Sequence, residues 1–476
     1  MKNLESILEE VDREEKPSEK EREEVQKITE ELRAEVERNI KKTGIDAEVR
    51  VEGSIAKDTW LRSDKDVDIF MLLPTSVSRE KLSTICLQAA KKSVKDCQSI
   101  ERYAEHPYLE ALVEDIRVNI VPCYKVEQGK WKSATDRTPF HTEYVNTKLK
   151  MEKQKREIRL LKKFLKGIGI YGADIKTGGF SGYLCELLAL HYEKFSKVLK
   201  ASAKWKVGEI IDVEDHYVSR EEDAEKLFDE PLIVIDPVDK RRNVASAVRR
   251  ECLDTFRMAS KFILKKPNLK FFYPPLMKPW NIREIENNLI DRQTDLVFLK
   301  IGKIDTVPDI LWGQLFKTRK SISNLLKQSD FTVVRSGIWS DEKNSSIITF
   351  ELENRTLRNL KKHFGPPVLS PEEDKFLIKY MNSDITSSGP WIETGRWVVL
   401  TRRIIFDVVD LLHRKLDGGG INVGVASKVA ETIRNKSEIL VNKEILYFYK
   451  KNPDFSVFLT KFLIGKPEWL NNYAEA

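Results

Sequence analysis

The strongest constraint on this chain is an alternation. From Asp66 to Leu73 it reads Asp-Val-Asp-Ile-Phe-Met-Leu-Leu, and Pro74 closes the run. A strand turns successive side chains to opposite faces. Asp66 and Asp68 therefore share one face, while Val67, Ile69, Met71 and Leu73 face a core. Two neighbouring carboxylates repel each other, and a divalent cation that prefers hard oxygen ligands removes that cost. Gly53-Ser54 stand upstream, with Ser54 twelve positions before Asp66. The glycine lets backbone approach a phosphate closely, and the serine offers a hydroxyl and an N–H to the same group. The pattern describes a nucleoside-triphosphate site in which metal bridges protein and phosphate. For the Asp-x-Asp pair alone, a solvated acidic face is the plain alternative.

The rest of the chain is read around that strand. A helical N-terminal region interrupted near Pro17, a short strand through Ala47, Val49 and Val51, a helix from about 79 to 94, and a strand from Ile116 to Val121 stopped by Pro122 make an α/β unit. The texture from about 145 to 280 is mostly helical, and DPVDKRRN is a polar turn before another helix. Phe271-Phe272-Tyr273-Pro274-Pro275 reads as a linker or seam. Beyond it, a helix near 311–326 and a hairpin of strands 331–339 and 346–353 open an α+β region. Asp417-Gly418-Gly419-Gly420 is expected to be a flexible joint. The predicted fold class is α/β and α+β, multidomain.

Composition narrows the function classes. Of 476 residues, 82 are Lys or Arg and 75 Asp or Glu, a net charge of +7 that permits a nucleic-acid partner without demanding one. Apolar residues at 41% support buried cores. No apolar run approaches the roughly 20 residues needed to span a bilayer, and the acidic, helical start does not resemble a signal peptide. The five cysteines lie far apart, without metal-ligand spacing. A cytoplasmic protein with no membrane partner is expected. The N-terminal helix and hydrophobic strands permit a homodimer.

The Gly-Ser and Asp-x-Asp constellation resembles the DNA-polymerase-β-like nucleotidyltransferase superfamily. The stretches GSIAKDTWL, DVDIFMLLP, YAEHPY, VNIVPCY, DRTPFH, EIRLLKKFLKGIGIYGAD, GGFSGYLCELL and DPVDKRRNVA follow one another between residues 53 and 245. Together they resemble the archaeal (class I) CCA-adding enzymes, and general resemblance extends over essentially the whole chain. It implies a nucleotidyltransferase head (1–140), a helical neck for nucleotide selection (141–270), an α+β body (271–405) and a tail (406–476). It also implies the addition or repair of the tRNA 3′ CCA from CTP and ATP, with two Mg²⁺ ions and no nucleic-acid template. The body and tail would grip the acceptor stem and TΨC arm.

By the same resemblance, metal carboxylates fall on Asp66 and Asp68, and the third falls on Asn119, where the family pattern expects Asp. A carboxamide is a weaker ligand, and an engineered change, a natural variant or rescue by a neighbour all remain open. Asp115 is about 13 Å away by strand rise, too far to substitute. The implied ribose and triphosphate contacts are Gly53, Ser54, Lys57, His141, Lys162 and Tyr171. Lys57 stands where the family usually has Arg. Arg242 resembles the base-selecting arginine, with Asp236 positioning it. Snorkelling for Lys162, core packing for Tyr171 and His141, and a solvated basic turn for Arg242 are the structural alternatives. Lys317, Arg319, Lys320 and Lys327 on a helix, Arg335, Arg355, Arg358, Lys361 and Lys362 around the sheet, and Lys450 and Lys451 in the tail supply charge for RNA, and Trp339 and Trp391 supply aromatic surface. Poly(A)-type polymerases share the carboxylate logic, and a catalytically impaired tRNA-binding variant is the rival that Asn119 favours.

Overall fold

The computed structural model describes residues 3–103, 106–218 and 221–470. Ala104 and Glu105 of the YAEHPY stretch lie outside the described residues. The chain forms two units, one of Met1–Leu276 with Val307–Asp309 and Lys466–Ala476, the other of Met277–Thr306 with Ile310–Gly465.

The first unit opens with helices Leu4–Glu15 and Glu19–Lys41, divided at Pro17 as the sequence predicts. Ser18 and Glu21 form a reciprocal capping box at the second helix. Strands β1 (Glu48–Glu52), β2 (Asp66–Leu73), β3 (Gln98–Tyr103), β4 (Pro107–Val113) and β5 (Ile116–Tyr124) follow. They make one sheet in the order β1-β2-β5-β4-β3, with only β2 and β5 parallel. Val67, Ile69, Met71 and Leu73 enter the core under this sheet, with Val118 and Ile120 of β5 and Val36 and Ile40 of the second helix. Asp66 and Asp68 are thereby committed to the opposite face. Pro122 does not stop β5. The antiparallel ladder to β4 ends at Leu109–Ile120, so on that side a missing N–H breaks no ladder bond.

Helices Glu152–Gly167, Gly182–Tyr192, Phe195–Ser202 and Arg250–Lys265 build a second core around Phe164, Phe180 and Phe256. Phe271 and Phe272 belong to that core rather than to a free linker, and the predicted seam is borne out, since the first unit's main stretch ends at Leu276 and the second begins at Met277. Their rings lie 6.1 and 5.6 Å from that of Phe164, burying the segment. Trp469, near the end of the chain, packs into the same core, 6.1 Å from the Phe271 ring. A small sheet of β6 (Glu209–Asp212), β7 (Leu232–Asp236) and β8 (Asp239–Asn243) flanks the helices. DPVDKRRN is therefore a strand hairpin, not a polar turn before a helix. Asn243 supports it by accepting from Val234 N at 2.9 Å and donating to Leu232 O at 2.9 Å.

The second unit contains β9 (Asp295–Ile301), β10 (Val333–Ser340), β11 (Ser346–Leu352), β12 (Leu360–Pro367), β13 (Thr386–Glu393), β14 (Arg396–Arg402) and β15 (Ser437–Val441). They form two sheets, β10-β11-β9-β15 and β12-β14-β13. The predicted hairpin β10–β11 is present, and Asp341 Oδ1 ties its turn by accepting from the N–H groups of Lys343, Asn344 and Ser345. Trp339 is buried against Phe448 and Phe455 and offers no stacking surface. Arg335 is held by Glu351 at 2.6 Å and lies over the Phe462 ring, so packing and pairing occupy it. Residues 417–420 are not a free joint. Gly419 is buried at φ +96°, where a β-carbon would meet Ala430 O at 2.5 Å.

Candidate active site

Register assembles the acidic face. Asp68 lies opposite Asn119 across the parallel β2–β5 ladder, and Asn119 lies opposite Glu110 across the antiparallel β5–β4 ladder. Opposed residues share a face. The Asn119 carboxamide nitrogen donates to Asp66 Oδ1 and Asp68 Oδ1, each at 2.9 Å. Arg117 pairs with Asp64 at 3.0 Å and Asp66 at 3.4 Å.

Burial and the neighbouring charge of Asp66 push the Asp68 carboxyl up to about 7, against the pull of the Asn119 hydrogen bond. Burial raises Asp66 too, opposed by Arg117 and reinforced by Asp64 and Glu110. These two strained acids suit a hard divalent cation: they offer adjacent oxygens on one face and carry a repulsion that such an ion would relieve. Among the described residues, no group of three His, Cys, Asp or Glu side chains is gathered for a metal.

Gly53 starts the short helix Gly53–Ala56 directly after β1. Its φ is +71°, and a β-carbon there would fall 1.9 Å from Asp68 Oδ2. The close approach that requires glycine is therefore to the Asp68 carboxylate. Ser54, Asp66, Asn119, Lys162, Tyr171 and Glu110 line one cleft of about 360 Å³.

Lys57 is placed differently. Its ammonium is buried and donates to Glu186 at 2.6 Å. Lys162 donates to the other Glu186 oxygen at 3.2 Å and to the Thr59 hydroxyl at 3.1 Å. Glu186 is fully buried. Burial alone would raise its carboxyl, but the two lysine charges and the hydrogen bonds hold it down at about 2. The ordinary snorkelling alternative does not hold for Lys162, whose ammonium is anchored inward at the cleft wall.

His141, Asp236 and Arg242 form a second cluster. Asp236 Oδ2 meets His141 Nε2 at 2.9 Å and accepts from Arg242 at 2.7 Å, while Tyr183 donates to Oδ1 at 3.2 Å. His141 stacks on Tyr183 with ring centres 4.0 Å apart. Burial lowers His141 below its usual value, so it serves Asp236 as a neutral N–H donor and Arg242 supplies the cation. Despite burial, these partners hold Asp236 at about 2. Lys57 lies beside this cluster, 5.9 Å from the Tyr183 ring centre. Sequence reasoning missed Glu186, Tyr183 and Glu110. The signal for Glu186 was its acidic side chain within the apolar helix GYLCELLALHY.

A mixed sheet with paired strand carboxylates beside a Gly-Ser turn defines a nucleotidyltransferase of the polymerase-β-like kind, and the nucleotidyltransferase-domain family model matches residues 12–141. The models for the tRNA nucleotidyltransferase second domain and the CCA-adding enzyme C-terminal domain match residues 156–273 and 292–442. The CCA-adding enzyme of Methanosarcina acetivorans is 36% identical over 94% of this chain and 96% of its own. Those of Pyrobaculum islandicum and Saccharolobus shibatae are each 38% identical, over 89% and 96% of this chain and 96% and 97% of their own. A solved cytoplasmic RNA terminal U-transferase aligns with 57% of this chain and 99% of its own at TM-score 0.44 and 17% identity. The chain belongs to the CCA-adding enzyme family.

Proposed function

We propose that this chain adds or repairs the 3′-terminal CCA of tRNA from CTP and ATP without a nucleic-acid template. The observation that carries this reading is the acidic face of β2, with Asp66 lining a cleft and Asp68 beside it, both bonded to Asn119, in a chain whose family relatives match along nearly its whole length. The reaction is in-line attack of the tRNA 3′-hydroxyl on the nucleotide α-phosphate, with pyrophosphate leaving. Asp66 and Asp68 would hold divalent cation, Mg²⁺ in a two-ion arrangement, which when bound supplies charge against the developing phosphate and lowers the hydroxyl's pKa. Ser54 and Lys162 face the triphosphate from the cleft wall. Tyr171 closes the same wall and excludes water. Arg242, oriented by Asp236 and His141, presents its guanidinium to the base edge. Lys57 acts from behind, holding Glu186 rather than touching phosphate directly.

The division into head (1–140), neck (141–270), body (271–405) and tail (406–476), with the last two gripping the acceptor stem and TΨC arm, belongs to this reading. So do a cytoplasmic location and a homodimer. Among the described residues, no helix is long and apolar enough to cross a membrane. Incubating the chain with tRNA lacking CCA and each nucleotide separately and together tests the reading. Addition of C, C and A followed by arrest is expected. A homopolymer tail would instead make it a poly(A)-type polymerase. Unchanged tRNA affinity with no incorporation would favour the impaired binding variant that Asn119 suggests.

A further inference from the structure

The geometry points to Glu110 as a third carboxylate of this active site, a ligand for divalent cation reaching from the strand beside Asn119. The inference deepens the reading above and rests on it for the reaction. Asp68, Asn119 and Glu110 form one row across β2, β5 and β4, all on the cleft face. Asn119 contributes no charge to that row, and its amide nitrogen is spent on Asp66 and Asp68. Glu110 is the next side chain along, in a directly opposed pair whose β-carbons lie about 5 Å apart. Its extra methylene lets it reach over the shorter carboxamide.

Glu110 also lines the cleft with Asp66 and Asn119. Its one hydrogen bond among the described residues runs from Arg102 to Oε1 at 3.1 Å, and both side chains are about one-fifth exposed. The pair is a single 3.1 Å contact that engages one Glu110 oxygen and leaves the other without a hydrogen bond from a described residue. A cation of higher charge density competes for the carboxylate, so Glu110 exchanges Arg102 for the ion. The negative charge absent at position 119 is then supplied one strand over. In the exchange the Arg102–Glu110 hydrogen bond would be given up for a carboxylate–cation contact, and no covalent bond of the protein changes.

The test is Mn²⁺ binding to the full chain with a non-reactive α,β-methylene CTP, by isothermal titration, alongside single-turnover addition to tRNA lacking CCA. Glu110→Gln, of nearly equal shape, is expected to weaken Mn²⁺ about tenfold or more. Arg102→Gln is expected to tighten it. Asn119→Asp in the Glu110→Gln background is expected to restore both Mn²⁺ affinity and addition. Mn²⁺ affinity unmoved by Glu110→Gln, or no rescue by Asn119→Asp, overturns the assignment even if the chain adds CCA normally. Mn²⁺ binding that depends on Glu110 in a chain that adds no CCA leaves the assignment standing and removes the functional reading.

Discussion

Glu186 holds two cations at once, inside a protein interior where any one of the three left alone would be costly. Lys57 takes one oxygen and Lys162 the other, and all three side chains are buried. Glu186→Gln keeps the shape and leaves two ammonium groups without a counter-charge. A loss of about 3–5 kcal/mol is expected by urea denaturation near neutral pH. The sign of its pH dependence follows from the carboxyl's depression from 4.5 to about 2. The stabilisation is fully present above 4.5 and fades as the pH falls toward 2. The stability gap between wild type and Glu186→Gln should therefore narrow across that interval. A gap independent of pH would mean that the network is not ionic. Lys162 reaches the cleft only as part of this network, so the same substitution should raise KM for nucleotide before it lowers kcat.

At the scale of elements, the β7–β8 hairpin matters because Asp236 ends one strand and Arg242 lies near the end of the other. The short hairpin turns them toward each other at 2.7 Å. Asp236→Asn keeps hydrogen-bonding capacity and removes the charge that orients the guanidinium. A charged hydrogen bond is worth about 1.5–3 kcal/mol, or roughly tenfold or more in kcat/KM for CTP and ATP. Misincorporation of UTP and GTP should rise in parallel, read by primer-extension gels. Unaltered nucleotide choice would remove Arg242 from base selection.

This hairpin also marks where sequence reading stopped. Strand β2 was legible because its apolar residues alternate with acids over a buried core. Strand β8, Asp-Lys-Arg-Arg-Asn, has no apolar alternation and is a strand because β7 beside it is one. The same holds for β3, an exposed edge strand paired only with β4. With that pair unread, Glu110 had no visible register opposite Asn119. On the acidic face, Asp66 and Asp68 were legible from the β2 alternation and Asn119 from the resemblance, while Glu110 was not. Nor was the lysine–glutamate network, because Glu186 and Lys57 lie 129 positions apart.

On the scale of the whole molecule, the two units have separate hydrophobic cores, one set around Phe164 and Leu187 and another around Val297 and Phe350. Separate cores do not oblige the chain to melt in one step. Scanning calorimetry should give a calorimetric enthalpy larger than the van 't Hoff value, with nucleotide shifting only the transition of the first unit. One transition with equal enthalpies would show the units to be thermodynamically fused. The first unit, moreover, is sealed by Trp469, against Phe271 and Phe262. During synthesis that indole leaves the ribosome only after the second unit, which runs to Gly465, has emerged. A prematurely terminated polypeptide would carry the acidic strand and its lysines yet lack the plug of the helical core around Phe164, and quality-control proteases would find that core open.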